Sequence, residues 1–364
     1  MISYFHSLIH NSTRMDYGNT QKRFRYYLCR PFLSAISILL LVPLVIAGCS
    51  QPDSVFENKT IVLDPGHGGT AEVDQYRVGP TGEREEWINL RVALMLRDLL
   101  EEEGAEVLMT RRDDSDVGLQ ERAQLAVDNN ADLFLSIHHN AIADTSVNFP
   151  VVYFHGNASE NRAGVQLGEI LGRKINEALF DGRKPVLVAS DHTIFTGAGT
   201  AVLRHSYGIP GVITEASFFT NPGEEQRLKE EDYNRKEAEA LLEGIREYFE
   251  AGPEPFAGKH SMVELPPFPV LQAEGRMSPE VKGWRTAYEE AAVLIESDDP
   301  GDVEHALERA TKSAHLFPDS PVAMEAHKIR ARAFEKLGKD DEAELTRKRV
   351  QEFYRMLPAI QITR

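Results

Sequence analysis

The chain has 364 residues, of which 42% are hydrophobic, and its formal net charge is −17. This acidic balance argues against nucleic-acid binding, which normally needs a basic patch, so no nucleic-acid partner is expected. Its two cysteines are too few for a disulfide framework or a four-thiolate zinc site. The length and the apolar content fit a globular protein of about two domains.

The N-terminal segment resembles the signal of a bacterial lipoprotein. An early cluster of basic residues is followed by an uncharged run over 31–48, and small residues precede Cys49 in the sequence IAGC. We therefore predict a signal peptide over 1–48, a lipid on Cys49 and a polar tether over 49–59. The alternative is a signal anchor that stays in the membrane, because a run of about 18 apolar residues could just span a bilayer.

Ser50 follows the predicted lipidation site. In Gram-negative lipoproteins, this resemblance implies that a residue other than aspartate at that position directs the protein to the outer membrane. The expected location is the cell envelope, with the chain attached to the outer membrane through its lipid and facing the periplasm.

Residues 60–250 alternate short apolar strands with amphipathic helices. Strands are predicted at 61–63, 106–110, 133–137 and 211–214. Helices are predicted at 88–103, 119–129 and 163–179, with one or two more over 224–249. This alternation predicts an α/β fold, in which a mostly parallel twisted sheet is covered by helices on both faces.

The remainder of the chain changes in composition. Residues 251–279 are rich in proline and predict an extended spacer. Residues 280–358 predict a small all-α domain of two helical hairpins, drawn as helices at 280–296, 302–316, 321–337 and 340–357. These pairs resemble tetratricopeptide repeats, which suggests docking of a protein partner. A small bundle packed on the preceding domain is equally compatible, because both arrangements bury one apolar face per helix.

Four side chains with catalytic potential stand at or near the ends of predicted elements. His67 follows the first strand, Glu85 opens the first helix, His138 ends an apolar strand, and Glu215 ends a late strand. Sites in open α/β sheets form outside the carboxyl ends of the strands, so these four residues are expected at one rim.

Two histidines and one carboxylate form the protein ligand set of a catalytic zinc ion with one open position. A further carboxylate is then needed to take a proton from water and return it to the leaving amine, and Glu215 fits this role. The pattern therefore predicts one Zn²⁺ ion and hydrolytic chemistry.

The segments around these residues resemble zinc-dependent N-acetylmuramoyl-L-alanine amidases of type 3. The matching segments, in family order, are VLDPGHGG, GEREEWINL, MTRRDD, LQERAQLAVDNNADLFLSIHHNA and VLRHSYGIPGVITEASFFTNPGEE. The resemblance implies His67, Glu85 and His138 as zinc ligands and Glu215 as the catalytic acid/base. It also implies peptidoglycan as substrate, cut at the amide between N-acetylmuramic acid and L-alanine. Two alternatives are a scaffold lipoprotein with a non-catalytic amidase domain and a zinc peptidase that acts on the stem peptide.

Neighbouring residues are weighed against these four. His139 is the weaker ligand because successive strand side chains face opposite ways, and Glu86 lies one residue from the position that the family spacing favours. Asp64 is expected either to orient His67 or to serve the turn. Arg204 is expected to meet a substrate carboxylate or to form a structural ion pair.

Three further residues are expected near the same rim without ligand roles: Asn140, His192 and His205. Some family members carry a blocking helix after the second histidine, but nothing between His138 and Ala163 predicts one here. We therefore expect an open site.

Overall fold

The computed structural model describes residues 54–69, 78–261 and 263–359. The predicted signal peptide over 1–48, the lipidation site Cys49 and the start of the tether lie outside these described residues. Within the described part of the chain, no helix combines the length and the apolar character needed to cross a membrane.

A seven-stranded sheet forms the centre of the fold, with strand order β2-β1-β3-β6-β4-β5-β7. The strands are β1 (Thr60–Pro65), β2 (Glu106–Met109), β3 (Leu133–Asn140), β4 (Val151–Phe154), β5 (Val186–Ser190), β6 (Gly211–Phe218) and β7 (Tyr354–Leu357). Strands β2, β1, β3 and β6 run parallel, whereas β4 pairs with β6 in the antiparallel sense. The predicted mostly parallel α/β fold is therefore confirmed, with a change of strand direction beside β6.

Three helices cover one face of the sheet, namely α1 (Glu85–Glu102), α3 (Arg162–Phe180) and α6 (Glu231–Ala251). Apolar residues recur along each helix at helical spacing, for example Ile88, Val92 and Leu96 on α1, and these side chains are fully buried. They join the apolar residues of the strands in one hydrophobic core. This part of the chain also contains two shorter helices, α2 (Leu119–Asp128) and α5 (Pro222–Leu228).

The opposite face of the sheet is covered largely by the C-terminal helices. These are α7 (Trp284–Leu294), α8 (Pro300–Leu316), α9 (Ala323–Lys336) and α10 (Asp340–Phe353), and the short helix α4 (Ala201–His205) lies on the same side. Trp284 and Phe317 share a second core with Tyr153 and Ile213 of the strands. The described residues accordingly belong to one compact unit. The C-terminal helices thus pack on the preceding domain, which is one of the two arrangements that the sequence left open. Docking of a protein partner stays a prediction.

Two predicted elements differ from the structure. The helix expected over 340–357 ends at Phe353, because Tyr354–Leu357 instead pairs antiparallel with β5 and extends the sheet. The proline-rich segment over 251–279 does not act only as a spacer. Its Leu271 N–H donates to the His315 carbonyl and its Arg276 carbonyl accepts from Ala143 N–H, so it is fixed to the rest of the unit.

Candidate active site

Three adjacent parallel strands deliver the predicted site residues to one rim of the sheet. His67 follows β1, His138 lies near the end of β3, and Glu215 lies near the end of β6. Glu85 is the first residue of α1, which begins after a turn over 79–83 and brings the carboxylate back to the same rim. The carboxyl ends of parallel strands are where sheets of this type form their sites, so the placement agrees with the sequence prediction.

The turn after β1 holds His67 in an unusual backbone conformation. Its φ angle is +61°, a left-handed value that non-glycine residues adopt rarely. The Arg122 guanidinium stabilises this conformation, because Nη2 donates to the His67 carbonyl at 2.6 Å. Gly66, just before it, is packed so closely that an added Cβ would lie 2.1 Å from the His138 ring. Glycine at position 66 therefore lets the His138 ring lie close against the turn that carries His67.

Glu85 joins the two imidazoles into a compact three-residue group. Its Oε1 atom lies 3.0 Å from His67 Nε2 and 2.9 Å from His138 Nδ1. The two rings meet edge to face, with their centroids 4.6 Å apart. Burial alone would raise the pKa of Glu85, but the neighbouring His67 and His138 outweigh it and hold that pKa well below its usual range. Glu85 is therefore an ionised carboxylate between two nitrogen donors.

The donor set of this group fits a zinc ion. One ligand atom from each of His67, Glu85 and His138 lies within 4.8 Å of the others. Two imidazole nitrogens and one carboxylate oxygen match the three protein ligands of catalytic zinc sites, and the side chains of both histidines retain some solvent exposure. These three residues could therefore hold a metal ion with one position left for water or substrate.

Glu215 lies directly beside this group. In the register of β3 and β6, its Cα pairs with that of His138, so both side chains project from the same face of the sheet. Glu215, His67, Glu85 and His138 all line a single cavity of roughly 740 Å³. The cavity thus holds the three-residue group and, next to it, a second carboxylate from Glu215. This arrangement is suited to metal-assisted hydrolysis.

Comparison with known proteins places this arrangement in a family. The family model described as N-acetylmuramoyl-L-alanine amidase, type 3, matches residues 61–247. The chain belongs to this amidase family. The predicted type 3 resemblance and the predicted enzyme class, an amidase hydrolase, are thereby confirmed.

Individual relatives align with slightly more than half of this chain. The uncharacterized protein YqiI of Bacillus subtilis is 32% identical over 207 residues, which are 57% of this chain and 93% of YqiI. The N-acetylmuramoyl-L-alanine amidase AmiA of Escherichia coli is 29% identical over 52% of this chain and 76% of its own length. Among solved structures, the amidase AmiC2 of Nostoc punctiforme is similar with 28% identity and a TM-score of 0.46, covering 53% of this chain and 97% of that one.

His139 supports the site of the amidase from behind. The residue is buried, its Nδ1 lies 2.9 Å from Asn89 Oδ1, and its Nε2 lies 3.0 Å from Glu237 Oε2. Asn89 Nδ2 in turn lies 3.4 Å from Glu85 Oε1. Burial alone would lower the pKa of His139, but Glu237 outweighs it and raises that pKa. As expected from strand alternation, His139 lies outside the three-residue group and fixes the helices behind it.

Asp64 serves the turn of the amidase through Arg122. Its carboxylate accepts from Arg122 Nη1 at 2.9 Å, from Ser136 Oγ at 2.7 Å and from Thr110 Oγ1 at 2.7 Å. Burial alone would raise the pKa of Asp64, but Arg122 and the two hydroxyl donors lower it. Because Arg122 also holds the His67 carbonyl, Asp64 acts on the backbone of the turn, which agrees with the second of its two expected roles.

The other neighbours that were weighed take structural positions. Glu86 is fully buried in an ion pair with Arg84, so it points away from the three-residue group. Arg204 lines the cavity and donates to the carbonyls of Ala198 and Gly199 at 3.1 Å. His205 is exposed at the end of α4. The stretch from 141 to 161, all of it described, contains no helix, in agreement with an open site.

A second histidine–carboxylate group was not predicted. His155, Asp191 and His192 also bring potential ligand atoms within 4.8 Å of one another. However, Asp191 Oδ2 already accepts from Thr200 N at 2.7 Å, Thr200 Oγ1 at 2.8 Å and His155 Nδ1 at 2.9 Å. These bonds tie the loops after β4 and β5 to the start of α4, so we interpret this group as structural.

Sequence patterns also did not predict Arg276 and Tyr153 at the cavity, or Asp319 as their shared partner. Tyr153 and Arg276 line it, and both bind the buried carboxylate of Asp319. They come from β4, the proline-rich segment and the loop after α8. Only the folded chain brings these segments together, and no local motif marks them.

Proposed function

We propose that this amidase hydrolyses the amide bond between N-acetylmuramic acid and L-alanine in peptidoglycan, with a single zinc ion as cofactor. The observation that carries the proposal is the close group of His67, Glu85 and His138 with Glu215 on the adjacent strand. Membership of the amidase family supports the substrate, and the relative from Escherichia coli bears the name of this activity.

In this proposal, His67, Glu85 and His138 hold the zinc ion through two nitrogens and one oxygen. A zinc ion bound there supplies Lewis acidity towards the scissile carbonyl and lowers the pKa of water to about 7. The turn at His67 and the contacts of Glu85 Oε1 with both imidazoles bring the three side chains close together.

Glu215 is proposed as the general acid/base. Its carboxylate accepts a proton from the attacking water while the water oxygen bonds to the carbonyl carbon. The same proton then passes to the nitrogen of L-alanine as the carbon–nitrogen bond breaks. The products are an N-acetylmuramic acid carboxylate and a stem peptide with a free amino group.

The proposed place of action is the periplasmic side of the outer membrane, where a lipid on Cys49 would attach the chain. A further relative from Staphylococcus epidermidis is named a probable cell wall amidase, which supports a cell-envelope location. The IAGC sequence and Ser50 support the lipid anchor and its outer-membrane destination. The signal-anchor alternative predicts an uncleaved N-terminus, so the mass of the N-terminal peptide from membrane fractions distinguishes the two.

The function is tested by digesting purified peptidoglycan and determining the masses of the products. The proposal predicts intact stem peptides with a free L-alanine amine, which disappear with a chelator or with Glu215→Ala. Products cut within the peptide would instead indicate a peptidase. Binding to peptidoglycan without any product would indicate a scaffold protein.

A further inference from the structure

One wall of the catalytic cavity comes from outside the segment that matches the amidase family. The family match ends at residue 247, whereas Leu271, Gln272, Arg276 and Met277 also line the cavity. These residues belong to the proline-rich segment and a short 3-10 helix, Ala273–Met277. The C-terminal part of the chain therefore contributes to the cavity in which the substrate must lie.

Arg276 is the charged residue of this wall, and it is firmly held. Its Nη2 donates to Asp319 Oδ2 at 3.0 Å and lies 3.2 Å from Asn140 Oδ1. Its guanidinium lies over the Phe317 ring, 5.6 Å from the centroid, and its carbonyl accepts from Ala143 N–H. Little conformational entropy remains to be lost when such a side chain binds a ligand.

The guanidinium keeps its charge and keeps free donors. Burial alone would lower the pKa of Arg276, but Asp319, with smaller contributions from Tyr153 and Glu215, raises it. Both of its hydrogen bonds to described residues use Nη2, so Nε and Nη1 are left for another acceptor. Because Nε and Nη1 lie on different edges of the guanidinium, each of them can donate one charge-assisted hydrogen bond to an oxygen of an anion.

The other two arginines of the cavity are engaged by the protein itself. Arg122 holds Asp64 and the carbonyls of Pro65 and His67. Arg204 donates to two carbonyls of its own loop. Arg122 donates through all three of its nitrogens, and Arg204 makes no bond to a carboxylate of the described residues. Among these three arginines, Arg276 combines a bond to a buried carboxylate with nitrogens that make no bond to the described residues, so we choose it as the candidate for binding a negatively charged group of the substrate.

We propose that Arg276 forms an anion-binding subsite, supplied by the C-terminal part of the chain, that binds a carboxylate of the stem peptide beside the scissile amide. This inference rests on the proposed function, because it concerns the substrate of the same cavity. Asp319 and Asn140 position the guanidinium, so the C-terminal helices contribute to substrate selection through Asp319.

The test uses the full-length protein and two N-acetylmuramoyl peptides that differ only in whether the peptide carboxyl groups are free or amidated. For Arg276→Ala, kcat/KM on the free-carboxylate substrate should fall about 10- to 100-fold, mainly through KM, with little change on the amidated one. The matched control is Arg309→Ala, because Arg309 pairs with Glu290 on the surface of the C-terminal helices and does not line the cavity.

Arg276→Lys is the second variant and keeps the positive charge near Asp319 if the alanine variant fails to fold. Lysine offers a point charge instead of a planar fork, so it should retain part of the preference for the free carboxylate. An equal loss on both substrates, or no loss on either, overturns the inference while leaving the proposed function intact. A wild-type protein inactive on both substrates and on peptidoglycan refutes the proposed function instead.

Discussion

His138 and Glu215 are register partners on neighbouring parallel strands, and they lie where the sheet changes direction. Glu215 pairs with His138 of the parallel strand β3 on one side and with Val151 of the antiparallel strand β4 on the other. The register of β3 and β6 also shifts just after His138, which gives a local irregularity of the kind often found beside active sites. The position of the proposed general acid/base relative to the proposed metal ligands is thus set by backbone pairing.

Glu215→Gln should separate proton transfer from metal binding. The amide has nearly the same shape but cannot accept a proton from water, so kcat should fall about 10²- to 10⁴-fold. KM and the zinc content should stay close to those of the wild type. Steady-state kinetics together with metal analysis of the purified variant checks both. A variant that loses its zinc would place Glu215 among the ligands instead.

Zinc binding should depend on the group of His67, Glu85 and His138, and should not depend on the group of His155, Asp191 and His192. We expect about one zinc ion per chain, a loss of that ion and of activity in His67→Ala, and full zinc content in His192→Ala. Elemental analysis after dialysis measures this, and added Zn²⁺ should restore a chelated wild-type sample. Two zinc ions per chain, with one lost in His192→Ala, would contradict our structural interpretation of the second group.

Gly66→Ala should disturb the site through close contact alone. The new Cβ would lie 2.1 Å from His138 Cε1 and 2.2 Å from its Nε2, so the ring must move. A displacement of a ligand by about 1 Å can reduce activity about 100-fold. Zinc affinity and kcat should both fall. Gly258→Ala is the matched control, because a Cβ there meets nothing within 4 Å, and it should behave as the wild type.

The site residues at the rim of the sheet could be predicted because short sequence motifs mark them. His67, His138 and Glu215 each follow an apolar run, and the parallel order β1-β3-β6 makes them neighbours. The unpredicted strands β4 and β5 are short, and β7 continues directly from α10. Strand β7 forms because it pairs with β5, which lies more than 160 residues earlier in the chain. The sequence of β7 by itself therefore predicts a continuation of the helix.

Arg276 shows the same limit for the site. A proline-rich stretch predicts a spacer, because its composition carries no information about what covers it. The contact between Arg276 and Asp319 depends on the C-terminal helices returning to the sheet. By contrast, the place of His139 outside the three-residue group could be expected from strand alternation, since that rule needs only its neighbour His138.

The buried pair of His139 and Glu237 should make stability depend on pH. Glu237 raises the pKa of His139 in the folded state, so this contribution is fully present below about pH 6.5 and is lost as the pH rises through the higher folded pKa. Glu237→Gln should therefore destabilise the protein strongly at pH 6, by about 3–5 kcal/mol, and less at pH 9. Chemical denaturation at the two pH values measures the difference.

The control for this pair is Glu239→Gln on the same helix, because Glu239 is exposed. Its free energy of unfolding should stay within about 0.5 kcal/mol of the wild type at both pH values. If Glu237→Gln destabilises the protein equally at pH 6 and pH 9, the pair does not owe its contribution to the protonated imidazole.

Trp284 should report whether the C-terminal helices are a structural part of the catalytic unit. Its ring is fully buried, packs edge to face on Phe317, and donates through Nε1 to Asp144 Oδ2 at 3.0 Å. Trp284→Ala should lower the free energy of unfolding by about 3–5 kcal/mol in a single transition, because it leaves a cavity in the core that covers the sheet. Val293→Ala on the same helix is the control, since Val293 is 75% exposed and should change stability by less than about 0.5 kcal/mol. Two separate transitions, with only the first shifted by Trp284→Ala, would instead show that the C-terminal helices fold and dissociate independently of the sheet.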